Sequence, residues 1–354
     1  LLQDGQLPMN SILFVELLGG VGDLVIALPA IHALALSHPQ ARVAVLTFAP
    51  GAELLAADPL VAQVYHAVRG DAAQPDRPRR ALEALLAGEP FDLIVSDTTY
   101  SGIDALLEGS GARVVSNLWR SSPPGRLIEL RFLDILAEEG LIAPWACALQ
   151  GRLALDAGDR LWAAAQLPAD RRRALLHPHV GMPIKRWPLE RFVALGRALH
   201  DELGLEIVVS AGVGAEAAQA RELVAALGPG ATLLAPGTLR QFAAAAAHAG
   251  LVVGADTGPV RLAGAVGALT ITLFGPSWHG RYGLRPPNVN LQGYPQCPER
   301  HVPDFTRQRC WYAGQCPLGH RPSCLEDIAV GDVIEAAQRL LEKTAWWGKP
   351  LAGN

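Results

Sequence analysis

The sequence predicts an α/β chain of two domains, each a parallel sheet with crossover helices. Three observations predict it. The chain has 354 residues, beyond the roughly 250–300 at which one core stops growing, so two domains are expected. Short apolar runs alternate with longer periodic stretches, the pattern of parallel strands joined by helices. That pattern starts twice, near residue 11 and again near residue 174, each time with a glycine-bearing turn after a strand. Composition agrees. Hydrophobic residues make up 50% and charged residues 18%, which excludes a disordered chain. A net charge of −4 gives no electrostatic case for a nucleic-acid partner.

The elements follow in order. Residues 11–17 form an apolar strand that ends in Leu18-Gly19-Gly20-Val21-Gly22-Asp23, and residues 24–36 form a periodic helix. Strands are expected at 41–48, 91–96 and 112–116, with a helix around 80–86. In the second half, strands are expected at 174–177, 206–210, 231–234, 251–254 and 269–274. Helices are expected at 188–203, 215–227 and 239–248, after Asp256-Thr257-Gly258-Pro259 to about residue 266, and at 328–343 as a closing helix. Residues 152–173, rich in Asp and Arg, suit a linker. The expected domains are residues 1–165, residues 166–330, and a C-terminal helix and tail at 331–354. Open parallel sheets bind ligands at the carboxyl ends of their strands, and two such domains facing each other make an interdomain cleft. The loops after strands should therefore hold the chemistry.

Four of those loops stand out. Gly20 and Gly22 let the backbone turn tightly beside a substrate, and Asp23 sits at the start of the first helix. A helix cap explains such an Asp; a carboxylate acting as general base is the functional reading. The loop is not a dinucleotide fingerprint, because Val25 stands where the third glycine is required. Lys185 and Arg186 precede a helix start, where backbone N–H groups favour an anion. Lys185 is also the only lysine before Lys343 and Lys349, the other bases being arginine. Asp256-Thr257-Gly258-Pro259 opens another helix, with Arg261 in its first turn. There Thr257, Gly258 and the free N–H groups suit a phosphate, to which Arg261 can add a cation, or Asp256 and Thr257 simply cap the helix. Glu216 follows the glycine turn at 210–214 and suits ribose hydroxyls, or is an ordinary acid in a first helical turn.

The cysteines Cys297, Cys310, Cys316 and Cys324 fall within 28 residues without a C-x-x-C pair. They are read either as a structural zinc or iron site or as free thiols and a labile disulfide. No run reaches the length of a membrane span. The apolar stretch at 11–36 carries Glu16, Asp23 and His32 and has no basic leader before it, so a cytoplasmic protein is expected. Trp346-Trp347 before Lys349 reads as a packing element, or as a lipid contact.

With these motifs in order, the chain resembles glycosyltransferase family 9, the heptosyltransferase-like enzymes of bacterial surface glycans. Gly22-Asp23 followed by Leu28-Pro29-Ala30 is similar to the family's acceptor-side motif. Lys185-Arg186-Trp187-Pro188 is similar to its donor-side loop, and Asp256-Thr257-Gly258-Pro259 to its phosphate motif. Cys316-Pro317-Leu318-Gly319-His320 with Cys324 resembles a cysteine segment near the family's C-terminus. Arg261 departs from the pattern, which usually has His at that position. The resemblance implies a GT-B fold, two Rossmann-like domains with the donor on the C-terminal one. It implies inverting transfer from a nucleotide-diphosphate sugar, commonly ADP-heptose, to a glycan or lipopolysaccharide-type acceptor, with no cofactor required. Acceptors on the inner membrane imply a peripheral membrane contact. In these terms Asp23 is the general base, Lys185, Thr257 and Gly258 contact the pyrophosphate, Asp256 shapes that loop, and Glu216 holds the ribose. A nucleotide-sugar epimerase of the same fold and a non-catalytic nucleotide-sugar-binding subunit are the alternatives.

Overall fold

The computed structural model divides into two compact units, Leu1–Ala154 and Leu155–Asn354. It describes residues 9–120, 125–168, 172–212, 214–302, 304, 307–321 and 323–344. The leader before residue 9, and Trp346, Trp347 and Lys349, lie outside the described residues.

The first unit carries β1 (Ser11–Val15), α1 (Val21–Ser37), β2 (Arg42–Phe48), α2 (Ala49–Leu55), β3 (Gln63–Ala67) and α3 (Arg77–Gly88). β4 (Leu93–Ser96), α4 (Ile103–Glu108), β5 (Arg113–Val115) and α5 (Ile128–Glu138) complete it. All strands are parallel, in the order β3-β2-β1-β4-β5. Both faces of β1 are covered, which is why Ile12 to Val15 read as a continuous apolar run and are fully buried. The chain winds outward from β1 in both directions. The topological switch point, where open sheets leave a crevice, therefore lies at the carboxyl ends of β1 and β4.

The second unit opens with α6 (Ala157–Gln166), inside the stretch read from the sequence as a linker. Asp156 caps this helix, its side chain accepting from Asp159 N at 2.8 Å. Buried Arg240 pairs with Asp159 at 2.5 Å and Asp156 at 3.4 Å. Two of the Asp residues that suggested a linker are thus a helix cap and the partner of a buried arginine from the second unit.

Next come β6 (Arg173–His177), α7 (Leu189–Leu203), β7 (Glu206–Val209), α8 (Ala215–Leu227), β8 (Ala231–Leu233) and α9 (Leu239–Ala249). They are followed by β9 (Gly250–Ala255), α10 (Gly258–Ala265), β10 (Leu269–Phe274), α11 (His279–Tyr282), β11 (Val289–Gln292), α12 (Arg309–Ala313) and α13 (Val330–Lys343). The order is β11-β10-β9-β6-β7-β8, again all parallel. Its switch point lies between β6 and β9. α13 buries Val333, Ala336, Ala337, Leu340 and Leu341 in the core of this unit.

The sequence reading passed over β3 and β11. Each is an edge strand and only partly buried, so neither shows the apolar run of a central strand. Among the described residues no helix is long and apolar enough to cross a membrane.

Candidate active site

Both switch points carry clusters of ionisable side chains. In the first unit, Glu16 leaves β1 with its N–H still donating to Leu46 O at 2.9 Å. Only 1% of Glu16 is exposed. Its Oε1 accepts from Gly19 N at 2.7 Å and its Oε2 from Thr47 Oγ1 at 2.5 Å. Asp97 leaves the neighbouring β4 in the same way, and its Oδ1 accepts from Leu17 N at 3.3 Å. Arg69 donates to Gly19 O and lies 4.5 Å from the centre of the Phe48 ring. Tyr100 donates its hydroxyl to Leu17 O at 2.7 Å. The 17–20 turn is therefore held from several sides. Gly19 adopts φ +80°, and a Cβ there would meet Phe48 and Arg69, so this position requires glycine.

Asp23 stands in the first turn of α1. Its Oδ2 accepts from Gly20 N at 3.0 Å; Gly20 is the N-cap and Asp23 the third helical residue, so Asp23 closes a capping bond without being the N-cap itself. A capping bond is compatible with a role as base. Burial pushes the Glu16 carboxyl up to about 7, against the opposing hydrogen bonds from Thr47 and Gly19, and the Asp23 charge adds to the rise. Burial, then the Glu16 charge, holds Asp97 well above the carboxylate range. A cavity of about 300 Å³ beside the turn is lined by Leu17, Leu18, Phe48, Arg69 and Tyr100 among others.

In the second unit, Asp256 follows β9 and is 6% exposed. Lys185 Nζ donates to its Oδ2 at 3.2 Å and to its backbone O at 3.0 Å. Arg261 Nη2 donates to its Oδ1 at 3.0 Å and also to Tyr282 O. Ser277 Oγ donates to Oδ2 at 2.6 Å. Burial acts to raise the Asp256 carboxyl, but Lys185 and Arg261 outweigh it and hold it below its usual value. Lys185 also lies 5.1 Å from the centre of the Trp311 ring.

Thr257 is the N-cap of α10, Gly258 and Pro259 are its first residues, and the Thr257 side chain makes no capping bond. Its Oγ1 is buried and has no hydrogen-bond partner among the described residues. A buried hydroxyl at a helix start, with a lysine beside the same loop, is suited to an anionic ligand. Arg261 is 7% exposed and bonded within the protein; it orients Asp256. Removing the carboxylate would leave two cations facing each other. Asp256→Ala is expected to destabilise the protein by about 3–5 kcal/mol, measured by denaturant unfolding.

Glu216 is exposed in the first turn of α8. A Cβ at Gly212 would collide with its carboxylate, so the glycine turn and this acid are built together. His177 and His179 at the end of β6 both bond to Ser210, through Oγ at 2.8 Å and O at 2.9 Å. Burial pushes His177 down to about 3, so it is neutral.

Cys297, Cys310, Cys316 and Cys324 line one small cavity of about 20 Å³. All four are free thiols. Among the described residues, no group of three or more His, Cys, Asp or Glu is placed to hold a metal ion. Burial pushes the Cys324 thiol up to about 12 and also raises Cys310, so neither is a thiolate nucleophile at neutral pH.

The sequence reading missed Glu16, Asp97, Ser277 and Trp311. An acid directly after a buried apolar strand was the available signal for Glu16. Asp97 follows its strand in the same manner. Ser277 and Trp311 left no signal, since only folding brings them to Asp256 and Lys185.

Known proteins bear on this geometry. The chain resembles the solved glycosyl transferase family 9 protein of Veillonella parvula DSM 2008 with a TM-score of 0.77 at 17% identity, covering 96% of this chain and 99% of that one. It resembles ADP-heptose lps heptosyltransferase II of E. coli with a TM-score of 0.67 at 20% identity, covering 95% and 100%. It resembles E. coli heptosyltransferase WaaC with ADP with a TM-score of 0.62 at 19% identity, covering 84% and 98%. At such identities the likeness is one of fold, and the fold is the GT-B type of two parallel-sheet α/β units. A search of curated proteins finds no significant sequence match. The model of the family described as glycosyltransferase family 9 (heptosyltransferase) matches residues 130–311, which begin in α5 and run through β6 to β11. That match spans just over half the chain, including Lys185 and the Asp256–Arg261 segment, and so this protein belongs to glycosyltransferase family 9.

Proposed function

We propose that the protein transfers a sugar, with inversion, from an ADP-heptose-type donor to a hydroxyl of a glycan or glycolipid acceptor. The unpartnered, buried Thr257 hydroxyl at the start of α10, beside Lys185, carries this reading. It supports a seat there for the diphosphate of a nucleotide sugar. Asp23 takes the proton from the acceptor hydroxyl. The acceptor oxygen bonds to the anomeric carbon from the face opposite the leaving group, and the bond from that carbon to the diphosphate oxygen breaks. Charge then builds on the nucleoside diphosphate. The Lys185 ammonium, the Thr257 hydroxyl and the N–H groups of Gly258 and its neighbours stabilise it, so this reading requires no divalent ion. Asp256 holds Lys185 in place, and Glu216 accepts from ribose hydroxyls. A glycolipid acceptor would make the protein a peripheral visitor to the inner membrane.

Incubation with ADP-heptose and a truncated lipopolysaccharide core tests this. ADP release that depends on acceptor, in the presence of EDTA, with an inverted anomer by NMR, is the expected result. An isomerised sugar without acceptor would instead mark an epimerase, and tight donor binding with no transfer a binding subunit.

A further inference from the structure

Two buried acids lie beneath the turn that presents Asp23, and the transfer as written gives them no task. Glu16 and Asp97 end the adjacent strands β1 and β4, at the sheet's switch point. They are 1% and 3% exposed. Burying a carboxyl is costly, and an apolar residue would fill either place more cheaply. Both acids bind the backbone of the same short turn. Asp97 accepts from Leu17 N and Glu16 from Gly19 N, and the next N–H, of Gly20, binds Asp23. A direct covalent and hydrogen-bonded path thus joins Glu16 to Asp23.

We propose that Glu16, seated against Asp97, is a positioning residue that holds the Gly19–Gly20 turn and, through its own ionisation, sets how strongly Asp23 binds a proton. This rests on the reading of Asp23 as the base. The groups facing Glu16 from each packed element are Asp97 after β4, Asp23 in α1, Arg69 after β3, Thr47 on β2 and Tyr100 beyond β4. Arg69 is the one cation among them. Protonated, Glu16 adds no negative charge to this group. Ionised, it strengthens its bonds to Gly19 and Thr47 and makes Asp23 the stronger base. Activity should therefore rise as pH passes through the Glu16 ionisation, near 7.

Stability runs the other way. The folded-state value lies above the ordinary carboxyl value, so the unfolded chain gives up this proton first. Stability contributed by neutral Glu16 is complete below about pH 4 and is lost as pH rises toward 7.

The test compares the wild-type protein with E16Q and D23N. In the ligand-free wild-type protein, amide NMR shifts of Gly19, Gly20 and Asp23 are expected to titrate together near pH 7. In E16Q that titration disappears, and the loss of thermal stability between pH 5 and 8 shrinks. Turnover of E16Q at pH 8 is expected to fall about tenfold with unchanged donor KM, and its pH profile should lack the limb near 7. A merely structural Glu16 would move stability without removing that limb. Flat amide shifts in the wild-type protein, or an unchanged limb in E16Q, would overturn the proposal. Wild-type turnover by D23N would overturn the Asp23 reading alone, and the amide titration would still decide whether Glu16 governs the turn.

Discussion

Asp23→Asn should lower turnover by about 10²–10⁴-fold while leaving donor affinity unchanged. Asparagine keeps a side-chain oxygen to accept from Gly20 N, the bond that now holds Asp23 Oδ2 at 3.0 Å. The start of α1 is therefore preserved and only the basic charge is lost. Stability should change by less than about 1 kcal/mol, the usual worth of such a capping bond. Steady-state kinetics with calorimetric donor titration separates the two effects. Wild-type turnover in the variant would remove Asp23 from the role of base. A parallel loss of donor affinity would mean that the turn itself had collapsed.

Lys185→Ala is expected to weaken nucleotide binding by about 10–100-fold, the range of one charge-assisted hydrogen bond worth roughly 1.5–3 kcal/mol. The upper end is favoured by its surroundings. Lys185 lies 3.2 Å from Asp256 Oδ2. Without the lysine, that carboxylate keeps Arg261 and Ser277 but gains uncompensated charge next to the expected diphosphate. The variant thus removes an attraction and adds a repulsion. Calorimetry with ADP measures the change, and an unchanged affinity would count against the phosphate assignment. Turnover should fall further than affinity, because charge on the leaving group grows in the transition state.

Central features of both sheets were legible in the sequence because buried parallel strands must be apolar on both faces. Residues 269–274 match β10 without error. β3 and β11 were not legible, since an edge strand is covered on fewer sides and tolerates Gln, His and Asn. α6 was misread because its Asp and Arg residues look solvated until Arg240, some 80 positions away, closes on Asp159. Arg261 shows the same effect at the candidate site. Its place in the motif suggested a ligand cation, and only the fold shows that its Nη2 already serves Asp256 and the Tyr282 carbonyl.

What the sequence by itself determined is the class of fold and the order of its motifs. Alternating apolar runs and glycine turns are local signals, and they place Asp23, Lys185 and Thr257 on loops after strands. The lone early lysine also singles out residue 185 in the sequence. The tertiary structure alone decided which of these groups are already partnered and which acids lie beneath them. Ion pairing and desolvation depend on distance in space, and residues as far apart as Lys185 and Asp256, or Glu16 and Asp97, leave no mark of their interaction in the linear chain.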